Sequence, residues 1–257
     1  MAFETILWEA AGGVGRITLN RPESRNGITG VMMRELYEVV ETAAADETLS
    51  VVVLTGAGAS FCVGADLRHY TSGADDPGAP PQTFEVTRLL HEMPAVTVAA
   101  VNGAAAGAGF GWACACDLRF ATASAVFNSA FLDVAVAGDM AGPWTLPRLL
   151  GAAKARELYF LPGKFGAEEA RRIGLVTDVF ADDRFAEEME QIVARLSGAA
   201  PLAIRGMKAN FLDGERLGLG DYITAETTRH NAITASEDTK EAFKAFVDKR
   251  TPVFKGR

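Results

Sequence analysis

Residues 94–122 read PAVTVAAVNGAAAGAGFGWACACDLRFAT. Within them Val96 to Val101 is a short apolar run without regular polar alternation, the pattern of a strand covered on both faces. The run leads into a glycine-rich loop in which Gly107, Gly109 and Gly111 are spaced GxGxG rather than GxGxxG. The nearest candidate acid, Asp133, lies beyond the spacing of about 20 residues at which a dinucleotide fold places its ribose-binding acid, so a nicotinamide loop is not expected. Gly109 and Gly111 are better explained by close helix packing, which a Cβ would obstruct.

Upstream, Val51 to Leu54 repeats the buried-strand signature, and it too enters a glycine-containing loop. Thr29 opens a helical pattern whose apolar face is Met32, Leu36, Val39, Val40 and Ala43. Before it, Thr5 to Trp8 and Val14 to Leu19 read as a hairpin around Gly12-Gly13. Downstream, Leu118 to Ala121 and Val126 to Asn128 are short strands, and helices are expected around Ala152 to Phe160, Ala167 to Ile173 and Phe185 to Leu196. Thr71 to Gln82 (TSGADDPGAPPQ) concentrates Pro, Gly and Asp and reads as a mobile surface loop before a helix that ends near Met93-Pro94. Strand pairs alternating with single helices imply an α/β fold of repeated ββα units. From Pro201 to Lys249 the pattern is helical with breaks around Gly214 to Gly220, so we divide the chain into a core of residues 1–200 and a helical subdomain of residues 201–257.

A chain of 257 residues, 49% hydrophobic and 23% charged, can bury a full core. Its formal net charge of −8 disfavours nucleic acid as a partner, because phosphate binding needs an excess of Lys and Arg. The first twenty residues have no basic segment leading an apolar run, and no stretch reaches the about 18 apolar residues of a membrane span, so a cytoplasmic protein without membrane contact is expected. Cys62, Cys114 and Cys116 read as buried thiols, and His69, His91 and His230 show no metal-ligand spacing with them, so no metal is expected.

Three segments in order, TLNRPESRNGIT, VVVLTGAGASFCVGADL and the stretch 94–122, resemble the enoyl-CoA hydratase/isomerase (crotonase) superfamily. The similarity continues through LPRLLGAAKARELYFLPGKFGAEEARRIGLVTDVF to the ending FVDKRTPVFKG. The resemblance implies a crotonase-like spiral of ββα units with a helical C-terminal part that builds a trimer, or a dimer of trimers. It implies an acyl-CoA substrate and no cofactor beyond the coenzyme A of that substrate. In such enzymes an enolate forms on the thioester oxygen, held by two backbone N–H groups. Matching the motifs gives those donors as Ala65 in FCVGADL and Ala108 in GAAAGAG, the latter at a helix N-terminus. By the same resemblance Arg25 is a partner for coenzyme A phosphates, Leu67 for adenine, Asp66 a loop-positioning residue near the nucleotide, and Lys255 a residue that can reach a neighbouring subunit's nucleotide.

Hydratases of the family use two glutamates, one to activate water and one to protonate carbon. The corresponding positions here are Gly111 and Phe131, and no Glu occurs between Glu92 and Glu157. The segment instead offers Asp139, where the similar stretch of isomerases also carries an aspartate and haloaroyl-CoA dehalogenases carry a nucleophile. One carboxylate that removes a proton from one carbon and returns it to another is sufficient for isomerisation. Val134, Val136 and Met140 are expected to raise its pKa; the competing reading is a loop aspartate that caps the next helix. Asp133 is a second acid to weigh, on one strand face with Phe131. Phe131, Met140 and Trp144 are expected to line the acyl pocket. A hydratase built on Asp139, and a non-catalytic acyl-CoA-binding protein, stay open at this stage.

Overall fold

The computed structural model describes residues 3–73, 76 and 78–257, so Ala74, Asp75 and Pro77 of the expected surface loop lie outside the described residues. The hairpin forms from β1 (Ile6–Ala11) and β2 (Val14–Leu19), antiparallel around Gly12 and Gly13, both at positive φ as a tight two-residue turn demands. Next come α1 (Gly30–Ala45), β3 (Val51–Gly56), β4 (Ser60–Cys62) and α2 (Leu67–Thr71). The Thr29 hydroxyl caps α1 by accepting from the Met32 N–H at 3.3 Å. The chain continues through α3 (Val86–Glu92), β5 (Val96–Val101), β6 (Ala104–Ala106), α4 (Ala108–Ala115), β7 (Leu118–Thr122) and β8 (Val126–Asn128). Then follow α5 (Gly142–Leu150), α6 (Ala152–Phe160), β9 (Phe165–Gly166), α7 (Ala167–Arg172), β10 (Asp178–Phe180) and α8 (Phe185–Ser197). The last helices are α9 (Pro201–Gly214), α10 (Leu219–Thr234) and α11 (Glu237–Asp248).

Two sheets result. One has the order β1-β2-β3-β5-β7-β10, the other β4-β6-β8-β9. Strands β3, β5 and β7 of the first sheet each hand the chain to a short strand of the second, β4, β6 and β8, and then to a helix, which is the ββα spiral. The runs in β3 and β5 lack alternation because both faces are covered. Val52, Leu54, Ala99 and Val101 pack in the main core with α1 and α4, whereas Val51, Val53, Val98 and Ala100 pack against Phe185, Met189 and Val193 of α8. Helix α4 is buried along its whole length, and Gly109 lets it lie on β4, since a Cβ there would come within 2.5 Å of the Cys62 carbonyl oxygen.

Helix α9 docks on this core through a part-buried ion pair. The Lys208 ammonium, 4% exposed, bonds the Asp117 carboxylate, which also accepts from the Thr97 N–H and hydroxyl at 2.8 and 3.0 Å. One expectation fails locally: residues 131–133 are not a strand. Leu132–Val134 is a single 3₁₀ turn bounded by Ala130 and Ala135, both with φ of 60°, so Phe131 is buried while Asp133 points to the surface.

Candidate active site

Two glycine turns meet in the wall of one cavity. Gly64 and Gly107 both have positive φ, and a Cβ on Gly107 would lie only 3.5 Å from the Gly64 Cα. The residue after each glycine is the alanine singled out by its motif. Ala65 forms a parallel bridge with Ile28, in which the Ile28 N–H bonds the Gly64 carbonyl at 2.8 Å and the Asp66 N–H bonds the Ile28 carbonyl at 3.0 Å. That pattern turns the Ala65 N–H away from Ile28. Ala108 is the first residue of α4, whose leading N–H groups have no partner inside the helix. Among the described residues no backbone carbonyl accepts from either alanine outside regular structure.

Both alanines line one cavity of about 410 Å³. Its walls are mostly apolar, with Met33, Phe84, Phe131, Val134, Val136 and Met140 among them, and Asp139 is the only carboxylate among its described lining residues. Burial raises the Asp139 pKa above the ordinary carboxylate range, and its Oδ1 is buried without a hydrogen-bond partner. The competing reading, a cap on the next helix, does not hold: the N-cap of α5 is Ala141, which offers no side-chain bond. Asp139 instead opens a turn closed by the Gly142 N–H on its carbonyl at 3.4 Å, with Met140 and Ala141 between them at φ 48° and 52°. Four of the seven non-glycine residues with positive φ among the described residues, Ala130, Ala135, Met140 and Ala141, fall in this one segment. Such strain persists where surrounding structure over-determines it, and it gathers at functional sites.

The positions of the missing glutamates are filled. A Cβ on Gly111 would lie 2.6 Å from the Met140 Cβ, so Met140 occupies the space a longer side chain would need. The Phe131 ring stacks on Tyr159 of α6, centroids 5.8 Å apart, and sits 3.9 Å from the Cβ position of Gly107. Trp144, expected to line the same pocket, does not line the cavity that holds Asp139. The turn before α5 directs it to a separate cavity with His91, Cys114 and Lys208, where it meets His91 edge-on at 5.1 Å and carries the Arg148 guanidinium 3.7 Å above its ring.

At the outer end Leu67 lines the cavity and is half exposed. Asp66 beside it caps α2, accepting from the His69 N–H at 3.0 Å and pairing with Arg21 at 3.0 Å. Burial alone would raise its pKa; the His69 N–H and the guanidinium outweigh that and hold it below the usual range. Its role in this structure is thus to fix the turn carrying Ala65. Arg25 is exposed on the turn before Asn26, and Lys255 is exposed on the tail, where its N–H bonds Asp238 at 2.7 Å; neither lines the cavity. Sequence reasoning missed Ile28, Met33, Val63, Tyr70 and Phe84 as wall residues. It also missed Asn26, fully buried, whose amide donates to the carbonyls of Ala57 and Ser60 at 3.0 and 2.8 Å and so ties its own turn to the connection between β3 and β4.

Comparison with known proteins agrees with this geometry. The family profile described as enoyl-CoA hydratase/isomerase matches residues 9–257. The chain is 33% identical over 260 residues to the 1,2-epoxyphenylacetyl-CoA isomerase of Escherichia coli, covering 99% of each. It is 33% identical over 262 residues to the (E)-benzylidenesuccinyl-CoA hydratase of Thauera aromatica, covering 98% of this chain and 99% of that one. The crystal structure of an enoyl-CoA hydratase from Bacillus anthracis superposes with a TM-score of 0.90 at 29% identity, over 99% of this chain and 100% of that one.

Proposed function

The chain belongs to the enoyl-CoA hydratase/isomerase family and has the crotonase fold, and from that premise we propose that it shifts the double bond of an enoyl-CoA with Asp139 as the proton carrier. The observation that carries the reading is the cavity that holds the Ala65 and Ala108 turns together with one carboxylate, while Met140 and Phe131 fill the places where hydration would need two. In a 3-enoyl-CoA the Asp139 carboxylate removes a proton from C2. The electron pair passes into the thioester, and the resulting dienolate oxygen is held by the N–H groups of Ala65 and Ala108. The same carboxyl then returns the proton to C4, giving the 2-enoyl-CoA, and no atom is gained or lost. A half-buried, unpartnered carboxylate is a stronger base than one in water, which suits removal of a carbon-bound proton.

Arg25, Asp66, Leu67 and Lys255 lie toward the nucleotide end of this reading, with Lys255 serving a neighbouring subunit. The apolar residues displayed by the last helices, including Met207, Phe211, Leu219, Phe243, Phe246 and Val247, support assembly into a trimer or a dimer of trimers. The test is product analysis. A 3-enoyl-CoA should be converted to its 2-enoyl isomer, and in D₂O deuterium should enter C2 and C4 faster than water adds. Accumulation of a 3-hydroxyacyl-CoA as the first product would refute the isomerase reading.

A further inference from the structure

The turn that carries Ala65 is held from behind by Arg21, a residue that does not itself line the cavity. Ala65 and Ile28 form an isolated parallel bridge, and the guanidinium grips both flanks of it. Its Nη1 donates to the carbonyl of Gly27, the residue before Ile28, and at 3.0 Å to the carboxylate of Asp66, the residue after Ala65. The arginine is fixed in turn by Asn26: its N–H donates to Asn26 Oδ1 at 2.9 Å, and its carbonyl accepts from the Asn26 N–H at 2.8 Å. Only 17% of the Arg21 side chain and 11% of the Asp66 side chain are exposed, so salt and water screen this pair far less than a surface ion pair. The two backbones are also close. A Cβ on Gly27 would lie 3.0 Å from the Asp66 Cβ and 3.3 Å from its Cα, an approach that glycine permits.

This clamp bears on the direction of one N–H. The Ile28 N–H bonds the Gly64 carbonyl and the Asp66 N–H bonds the Ile28 carbonyl, which leaves the Ala65 N–H on the edge turned away from Ile28. An isolated bridge has no neighbouring rungs to hold its register, so contacts on its flanks must do so. We propose that Arg21 is a positioning residue for the oxyanion donor: by clamping Gly27 to Asp66 it aims the Ala65 N–H at the thioester oxygen, and it sets the rate of enolate formation without touching the substrate. This rests on the reading of Ala65 and Ala108 as the two donors. Arginine suits the task because its planar, permanently charged head reaches a carbonyl and a carboxylate together. Rate is affected more than affinity, since a donor aimed at developing charge acts mainly in the transition state.

The experiment observes butanoyl-CoA, labelled with ¹³C at the thioester carbonyl, bound to the protein in NMR. Its carbonyl carbon should move downfield on binding to the wild type, because two N–H donors polarise the C=O bond. In Arg21→Gln the bound signal should return part of the way toward that of the free thioester. With it, kcat on a 3-enoyl-CoA should fall by about 10- to 100-fold, less than the loss of a donor outright, with little change in KM. Gly27→Ala should act in the same direction by pressing Asp66 away while keeping every charge, and it serves where Arg21→Gln folds poorly. A guanidinium that only held the fold together would lower Tm on substitution and leave the bound carbonyl signal and kcat unchanged; that result in either folded variant would overturn the proposal. A wild-type signal that does not move on binding would instead overturn the assignment of Ala65 and Ala108 as donors, and the proposal with it.

Discussion

Asp139 is held where its charged form is disfavoured, and this has a consequence for stability with a definite sign. Its folded pKa is raised by burial, so between the unfolded value near 4 and the folded value the native state binds more protons than the unfolded one. Stability therefore falls as pH rises through that window. Asp139→Asn should accordingly melt at a higher temperature than the wild type at pH 7, and the two curves should converge toward about pH 4, as measured by calorimetry across pH. An unchanged difference at both pH values would mean that the carboxylate is not destabilised by its surroundings. As a candidate, Asp139 was legible in the chain because the segment it sits in lacks any glutamate. The packing of Tyr159 was not, since Gly138 and Gly142 are distant from it in sequence and only the fold brings them against one ring.

Elements explain where sequence reading succeeded and where it stopped. The long strands β2, β3 and β5 and helix α1 carry strong apolar patterns, and their residues form those elements. The second sheet is built from strands of two or three residues, too short to show a period, and of these only β8 (Val126–Asn128) was expected. Around Asp139 the chain is shaped by left-handed alanines and a methionine, residues that give no local sign of such a conformation, so Phe131 and Asp133 were placed on a strand face that does not exist and Trp144 in the wrong cavity. The fit of α4 against the Asp139 turn leads to a prediction. Gly111→Glu should not confer hydratase activity, and it should destabilise the protein by about 1–3 kcal/mol in urea unfolding, because its Cβ overlaps Met140. Efficient hydration by a well-folded Gly111→Glu protein would contradict this packing. The docking of α9 leads to another. Asp117→Asn strands the buried Lys208 ammonium and should cost about 3–5 kcal/mol, whereas Lys208→Met, which removes the buried charge itself, should cost clearly less.

At the scale of the whole molecule, the spiral delivers the Ala65 turn, the Ala108 helix and the Asp139 turn from three separate ββα repeats to one cavity, while α9, α10 and α11 leave large apolar side chains in water. Phe246, 86% exposed, is the largest such burden, so Phe243→Asp combined with Phe246→Asp should shift the assembly toward monomers in light scattering if these helices meet neighbouring subunits. Retention of the wild-type mass would show that α11 lies outside any interface. The central claim, that one carboxylate moves the proton, is tested most directly by the kcat of Asp139→Asn on a 3-enoyl-CoA. The amide preserves size and polarity and cannot accept the proton, so kcat should fall by about 10²–10⁴ with little change in substrate binding; undiminished turnover by the folded variant would contradict the account.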